Sequence, residues 1–388
     1  MIYLDYAATT PLLKEVERAM VPFGRKSFAN PRAIHGAGRK AKEAVEVARE
    51  KVAQSLKIKK EAIIFNSGGT EGNNQALAGI AEQYFLEKGK WPHLIISSLE
   101  HASVLQTAEA IASRGGSFSL LPATREGVVD VEALQKLLTP ETVIISTLLV
   151  QNELGTIQPV KKIRDVLDAY KKKLKRDEDD FPYLHVDATQ APRVLSLASL
   201  LGTADSYILD GSKIYGPKGT GVLIKRPSVR IAPVIWGGGQ EGGLRSGTEN
   251  VAGLVGFATA LAVITKEREK QFKKLILLRK VFLEELRKKE KNFHINGEGV
   301  PSIVNISFPG VVGERLLHRL SEKEIYISTT SACASVYSSA SRILLAIGKT
   351  EKEAQESIRI SFGRETTMSE VKKTVLFLAK TVQELRPR

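Results

Sequence analysis

The chain has 388 residues, 43% of them hydrophobic and 26% charged, an ordinary balance for a soluble globular protein with one large domain or two medium ones. Its single cysteine excludes an intrachain disulfide, and with it any dependence on an oxidising compartment. Part of the net charge of +14 sits in "YKKKLKR" (Tyr170–Arg176) and "EREKQFKK" (Glu267–Lys274), where interleaved or following acids mark solvated helix faces and no RNA-binding motif appears.

The N-terminal "MIYLDYAATTPLL" lacks the basic region and apolar run of a signal peptide. The longest apolar runs, such as Thr142–Val150, are too short to span a bilayer. The expectation is a cytoplasmic protein with no membrane contact and no direct nucleic-acid contact.

From about Gly38 the pattern alternates helix and strand. "GRKAKEAVEVAREKVAQSL" puts Ala41, Ala44, Val45, Ala48, Val52 and Leu56 on one helical face. "AIIFN" (Ala62–Asn66) predicts a buried strand, and a helix is predicted from Glu71 to about Phe85. Further strands are predicted near His93–Ser97, Phe118–Leu121, Val143–Leu149, Tyr183–Asp187, Ser206–Asp210 and Gly221–Lys225. About seven strands separated by helical segments predict an α/β fold, a mostly parallel sheet covered on both faces. "KKKLKRDEDDFP" reads as a surface insertion before the Tyr183 strand. From Asn250 to about Lys291 the pattern is helical. "SIVNISF", a helix at Gly313–Ser321, "IYIST", "SIRISFG" and a closing amphipathic helix then predict a smaller α+β domain. The expected division is a large domain over residues 14–255 and a small one made of residues 1–13 and 256–388.

In parallel α/β sheets, chemistry collects at the carboxyl ends of strands. "NSGGTEGNN" (Asn66–Asn74) joins such an end to a helix. Gly68 and Gly69 let backbone N–H groups approach a ligand, Thr70 adds a hydroxyl, and the helix N-terminus favours an anion; the alternative is a plain turn capped by Thr70. "LHVDATQ" puts Asp187 at a strand end, with Gln190 three residues on. An acid there is a cap, a metal ligand or the partner of a protonated ring nitrogen. "SYILDGSKIYGPKGTGVLI" puts Lys213 just beyond another, either a surface lysine or an amine whose pocket keeps it neutral for Schiff-base chemistry. "GGGQEGGLRSGTEN" (Gly237–Asn250) is dense in glycine and carries Arg245 and Thr248, which favours close approach to a ligand or another subunit over a flexible linker. His101, in "LEHASVL", stands at a strand-to-helix turn. An acid, a lysine and an anion cradle at three strand ends are the parts a pyridoxal phosphate site requires.

These motifs, with "YLDYAATTP" (Tyr3–Pro11), "NPRAIHGAGRKA" (Asn30–Ala41), "QNELGTIQP" (Gln151–Pro159), "SAC" (Ser331–Cys333) and "SIRISFGRETT" (Ser357–Thr367), occur in the order found in the NifS/IscS cysteine desulfurases, and the chain resembles that family nearly end to end. The resemblance implies a fold-type I enzyme dependent on pyridoxal 5′-phosphate. Lys213 would take the aldehyde and Asp187 the ring nitrogen. Gln190 would bond the phenolic oxygen, and His101 would stack on the ring and help move protons. Gly69, Thr70 and Ser212 would hold the phosphate. Thr248 would reach the phosphate of a neighbouring subunit in a homodimer. Arg359 and Asn152 would hold the substrate. Cys333, in "TTSACASVYSS" (Thr329–Ser339), matches the nucleophile that takes sulfur from L-cysteine as a persulfide. Acceptors would be an iron–sulfur scaffold or a tRNA-thiolation enzyme.

One departure stands out. The family usually carries Ser-x-His-Lys at the Schiff-base lysine, and this chain has Asp210-Gly211-Ser212-Lys213. Ser212 can replace the family's His as a neutral donor. A carboxylate at Asp210 repels a phosphate, so it turns away, takes a proton or weakens cofactor binding. The alternatives to a desulfurase are a selenocysteine lyase or other class-V enzyme, and a catalytically weakened scaffold for a sulfur-acceptor protein.

Overall fold

The computed structural model describes residues 1–329 and 340–386. Seven strands form the main sheet, side by side in the order 63–66, 221–225, 206–210, 183–187, 142–148, 93–97 and 117–121. The last five in that order run parallel. Gly221–Lys225 is antiparallel to both of its neighbours. No helix lies between Asp210 and Gly221, only the short turn Gly211–Lys213, and so short a link reverses the chain instead of crossing over.

The sheet is buried on both faces. Leu94 and Ile96 face one cluster, with Ala76, Leu77 and Ile80 of helix Gly69–Lys88. Ile95 between them faces the other, with Val45 and Val52 of helix Gly36–Leu56 and Leu254, Phe257 and Leu261 of helix Val251–Lys289. That alternation, apolar on both sides, is why the strands read as continuous apolar runs.

A second sheet holds four antiparallel strands in the order 328–329, 357–361, 303–307 and 294–295. Ile2–Tyr3 pairs in parallel with Ile325–Tyr326. Helix Val251–Lys289 has 39 residues, about 58 Å of unbroken helix, and the expected domain boundary at residue 255 lies within it. Two element ends differ from the sequence reading. Helix Gly69–Lys88 starts two residues before the expected Glu71, because Gly68, at φ 138, makes the turn that admits the chain. The first three of the twelve residues of the expected surface insertion, Lys171, Lys172 and Lys173, are the end of helix Val160–Lys173, where Lys171 is buried and its Nζ donates to the Glu178 carbonyl at 2.6 Å.

Gly221 lies under the turn that opens helix 69–88. A Cβ there would meet Asn66 Oδ1 at 2.4 Å, Gly68 Cα at 2.6 Å and the Leu209 carbonyl at 2.8 Å. Gly221→Ala is expected to lower stability by about 1–3 kcal/mol, read from urea unfolding, because two of those neighbours are backbone atoms with nowhere to move. An unchanged midpoint would show that the turn adapts.

Candidate active site

The strands ending at Asn66, Ser97, Leu148, Asp187 and Asp210 point the same way, so their carboxyl ends open at one edge of the sheet. That edge gathers Gly69, Thr70, His101, Asn152, Asp187, Gln190, Ser212 and Lys213. The chain's first residues run over it. Gln190 Nε2 donates to the Ala7 carbonyl at 2.7 Å, and Lys213 Nζ donates to the Ala8 carbonyl. The Thr10 hydroxyl donates to the Ser212 carbonyl at 2.8 Å and accepts from the Tyr215 N–H at 2.7 Å, which clamps the lysine turn.

Asp187 is buried, and each oxygen of its carboxylate accepts one hydrogen bond, which leaves lone pairs for a further donor. Oδ2 accepts from Asn73 Nδ2 at 2.9 Å, and Oδ1 accepts from the Thr189 N–H at 3.0 Å. The Asn73 amide also donates to the Ser103 hydroxyl at 2.9 Å, and its oxygen accepts from His185 Nε2 at 3.0 Å. His185 Nδ1 then accepts from the Ser206 hydroxyl at 2.9 Å. Complete burial pushes the ring's pKa down to about 4, so it is neutral, and with Nε2 donating to the Asn73 oxygen the other nitrogen is left to accept. His101 opens helix Ala102–Ser113; its Nδ1 accepts from the Ser103 N–H at 3.1 Å and the Ser103 hydroxyl at 2.9 Å, which leaves its proton on Nε2.

Beneath His101 lies a second buried acid. Glu100 accepts from the Ser146 hydroxyl at 2.7 Å and the His101 N–H at 3.3 Å. Burial, and then the charge of Asp187, push its pKa up to about 8.

Arg359 comes from the small sheet. Its guanidinium donates to Asp5 Oδ1 at 2.7 Å and to the Asn152 carbonyl at 3.0 Å, while Nε is buried without a partner. The Asn152 side-chain oxygen accepts from Gln151 Nε2 at 3.3 Å. Thr70 is exposed on the first turn of helix 69–88. Thr248 comes from a different part of the fold, exposed in the glycine-rich segment that precedes helix 251–289. Cys333 lies outside the described residues, but both flanks of its segment end at this site. Ser328 pairs across the strand with Arg359. Ser341 donates to Glu153 at 2.6 Å, and Arg342 donates to the Ser98 carbonyl at 2.5 Å and to the Glu100 carbonyl.

Asn73, His185, Glu100, Ser103 and Asp5 were not singled out in the sequence. Asn73 and Glu100 stand inside quoted motifs, and Asp5 inside "YLDYAATTP", but nothing local marks them as partners of distant groups. The donor set fits a pyridoxal group: a held carboxylate, an amine, an imidazole, and buried unpartnered polar atoms on Gln190 (Oε1) and Thr9 (Oγ1).

The family model for class-V aminotransferases matches residues 2–374. The chain is 39% identical to the cysteine desulfurase IscS of Dictyoglomus turgidum, over 99% of this chain and 95% of that protein. It is 37% identical to the cysteine desulfurase IscS of Methanosarcina thermophila, over 99% and 93% respectively. A solved NifS-like protein superposes with a TM-score of 0.88 at 35% identity over 99% of both chains. The structure of SspA in complex with cysteine superposes with a TM-score of 0.78 at 32% identity, over 93% of this chain and 99% of that one. The chain therefore belongs to the class-V aminotransferase family. Its relatives within that family are the IscS/NifS cysteine desulfurases.

The Glu100 carboxyl, at about 8 in the fold against an ordinary 4.5, contributes stability that is present below pH 4.5 and is lost as pH rises toward 8. His185 works in the opposite sense and only below pH 6.5. Between pH 6.5 and 8 the cofactor-free wild-type protein is therefore expected to lose stability relative to Glu100→Gln, by urea unfolding. Parallel profiles would mean that Glu100 does not hold its proton.

Proposed function

We propose that the chain is a cysteine desulfurase dependent on pyridoxal phosphate. It takes the sulfur of L-cysteine onto Cys333, releases L-alanine and passes the persulfide sulfur to an acceptor protein. The observation that carries this reading is convergence: Lys213, Asp187 and His101 come to one sheet edge, and both flanks of the Cys333 segment end beside them. In this reading residues 14–255 carry the cofactor, and residues 1–13 and 256–388 carry Arg359 and Cys333.

Lys213 would hold the cofactor's aldehyde, Asp187 its ring nitrogen, Gln190 its phenolic oxygen and His101 its face; Gly69, Thr70 and Ser212 would hold its phosphate. When bound, the cofactor supplies an electron sink for the substrate's α-carbon. The chain's own residues do the rest. Arg359 offers a planar fork to the substrate carboxylate, with Asn152 beside it. The Lys213 amine takes up and returns protons at the substrate carbon, and His101 Nε2–H stands ready on the side away from its helix cap. The Cys333 thiolate attacks the substrate sulfur. A sulfur–sulfur bond forms and the carbon–sulfur bond breaks. The electron pair stays with carbon, which takes a proton and becomes the methyl of alanine. A serine oxygen in place of Cys333 would yield no persulfide to pass on.

Homodimer formation is supported by apolar side chains on the glycine-rich face. Phe28, Ile34 and Trp236 are 76%, 91% and 75% exposed, and Arg32 ties the two loops together by donating to the Gly238 carbonyl. Thr248, on the same segment, would complete the partner's phosphate site. The acceptor would be an iron–sulfur scaffold or a tRNA-thiolation enzyme in the cytoplasm. No helix among the described residues is long and apolar enough to cross a membrane. A second reading, a weakened scaffold for an acceptor protein, is favoured only by the position of Asp210.

Incubation with pyridoxal phosphate and L-cysteine is expected to yield alanine and a protein whose Cys333 peptide has gained one sulfur by mass. In Cys333→Ala both products should vanish while the absorbance of lysine-bound cofactor persists. Continued desulfuration by that variant would overturn the proposal. Arg359→Lys is expected to raise KM for cysteine by about tenfold or more with a smaller effect on kcat, because a single ammonium cannot reproduce a two-point grip.

A further inference from the structure

The Asp210 carboxylate is seated in the anion cradle that the sequence assigns to a phosphate. Oδ2 accepts from the Gly69 N–H at 2.9 Å, at the start of the 20-residue helix Gly69–Lys88. Oδ1 accepts from the Ser212 N–H at 2.7 Å and from the Ser212 hydroxyl at 2.6 Å. A Cβ at Gly68 or Gly69 would lie 3.1 or 3.3 Å from Oδ2, so the glycine turn closes tightly around this carboxylate.

These donors are the ones that a phosphate monoester anchored at Lys213 would use. Two anions cannot share them without repulsion. Arg245 offers no relief, because it is committed to Glu71 of the same helix at 2.8 Å. Burial by itself would raise the pKa of Glu71, but Arg245 and Ser67 together hold it below its ordinary value. Asp210 is fixed by its own turn: it caps Gly211–Lys213 through the Ser212 N–H, which makes the cradle its resting place.

We propose that Asp210 is a specificity-determining residue of the cofactor site, an internal anion that competes with the cofactor's phosphate group. The protein then distinguishes pyridoxal phosphate from unphosphorylated pyridoxal less strongly than the donors of the cradle, Gly69 and Ser212, would otherwise allow. This inference rests on the reading of the site as a pyridoxal phosphate site. It concerns only the phosphate end and leaves the roles of Lys213 and Asp187 unchanged.

The test titrates cofactor-free wild type, Asp210→Ser and Asp210→Asn separately with pyridoxal phosphate and with pyridoxal, following the absorbance of the lysine adduct. Circular dichroism melts establish that each protein is folded. Both variants are expected to bind pyridoxal phosphate about tenfold or more tightly than wild type, with pyridoxal affinity unchanged. Equal or weaker pyridoxal phosphate binding by both folded variants would overturn the inference alone. So would an equal gain for pyridoxal, which would show that the effect does not arise at the phosphate. If no folded protein forms a lysine adduct with either compound, the cofactor reading falls and this inference with it.

Discussion

Burial of the Asp187 carboxylate at the end of a central strand sets the terms for the rest of the site. An ionised acid in the interior is costly unless its oxygens are bonded. Asn73 and the Thr189 N–H supply those bonds, and the Asn73 oxygen in turn requires a donor, which sets the tautomer of His185, a ring that burial keeps neutral. Ser103 carries the same network to His101. A single acid thus orders helix 69–88, helix 102–113 and the strands 183–187 and 206–210. Glu100 follows from the same constraint. Burial first, and then repulsion from the Asp187 carboxylate, push Glu100 up to about 8, so it keeps its proton at neutral pH.

The other half of the site depends on the first ten residues. Ile2–Tyr3 joins the strand at 325–326, Asp5 bridges to Ser361, and the Ala7 N–H donates to the Ser361 hydroxyl at 2.9 Å. Ala7 and Ala8 then meet Gln190 and Lys213, and Thr10 clamps the lysine turn. This short segment staples the small sheet to the large one. It also explains how Arg359, on the far side of the chain in sequence, comes to lie beside Asn152 with one guanidinium nitrogen on Asp5.

Much of this was legible in the sequence. The strands at 93–97, 183–187, 206–210 and 221–225 carry apolar runs bounded by turn residues, and a buried strand has few other ways to read. Glycine pairs and residues such as Asp187 and Lys213 announce themselves because they stand where an apolar run stops. The antiparallel direction of 221–225 was less visible, since a glycine-rich link does not state which way the chain returns. Asn73, His185 and Glu100 were invisible as a group. Each is an ordinary polar residue locally, and its meaning lies in partners across the sheet, 112 residues away for Asn73 and His185.

The sequence by itself determined the α/β class, the strand ends at which chemistry gathers, and the family to which Lys213, Asp187 and Cys333 point, because period, glycine placement and motif order are local properties. It also posed the question of Asp210, since a carboxylate there is readable in one dimension. Only the tertiary structure decided where that carboxylate goes. Gly69 is 141 residues from Asp210, and whether an acid turns toward a helix N-terminus or away depends on which donors the folded chain leaves within hydrogen-bond reach.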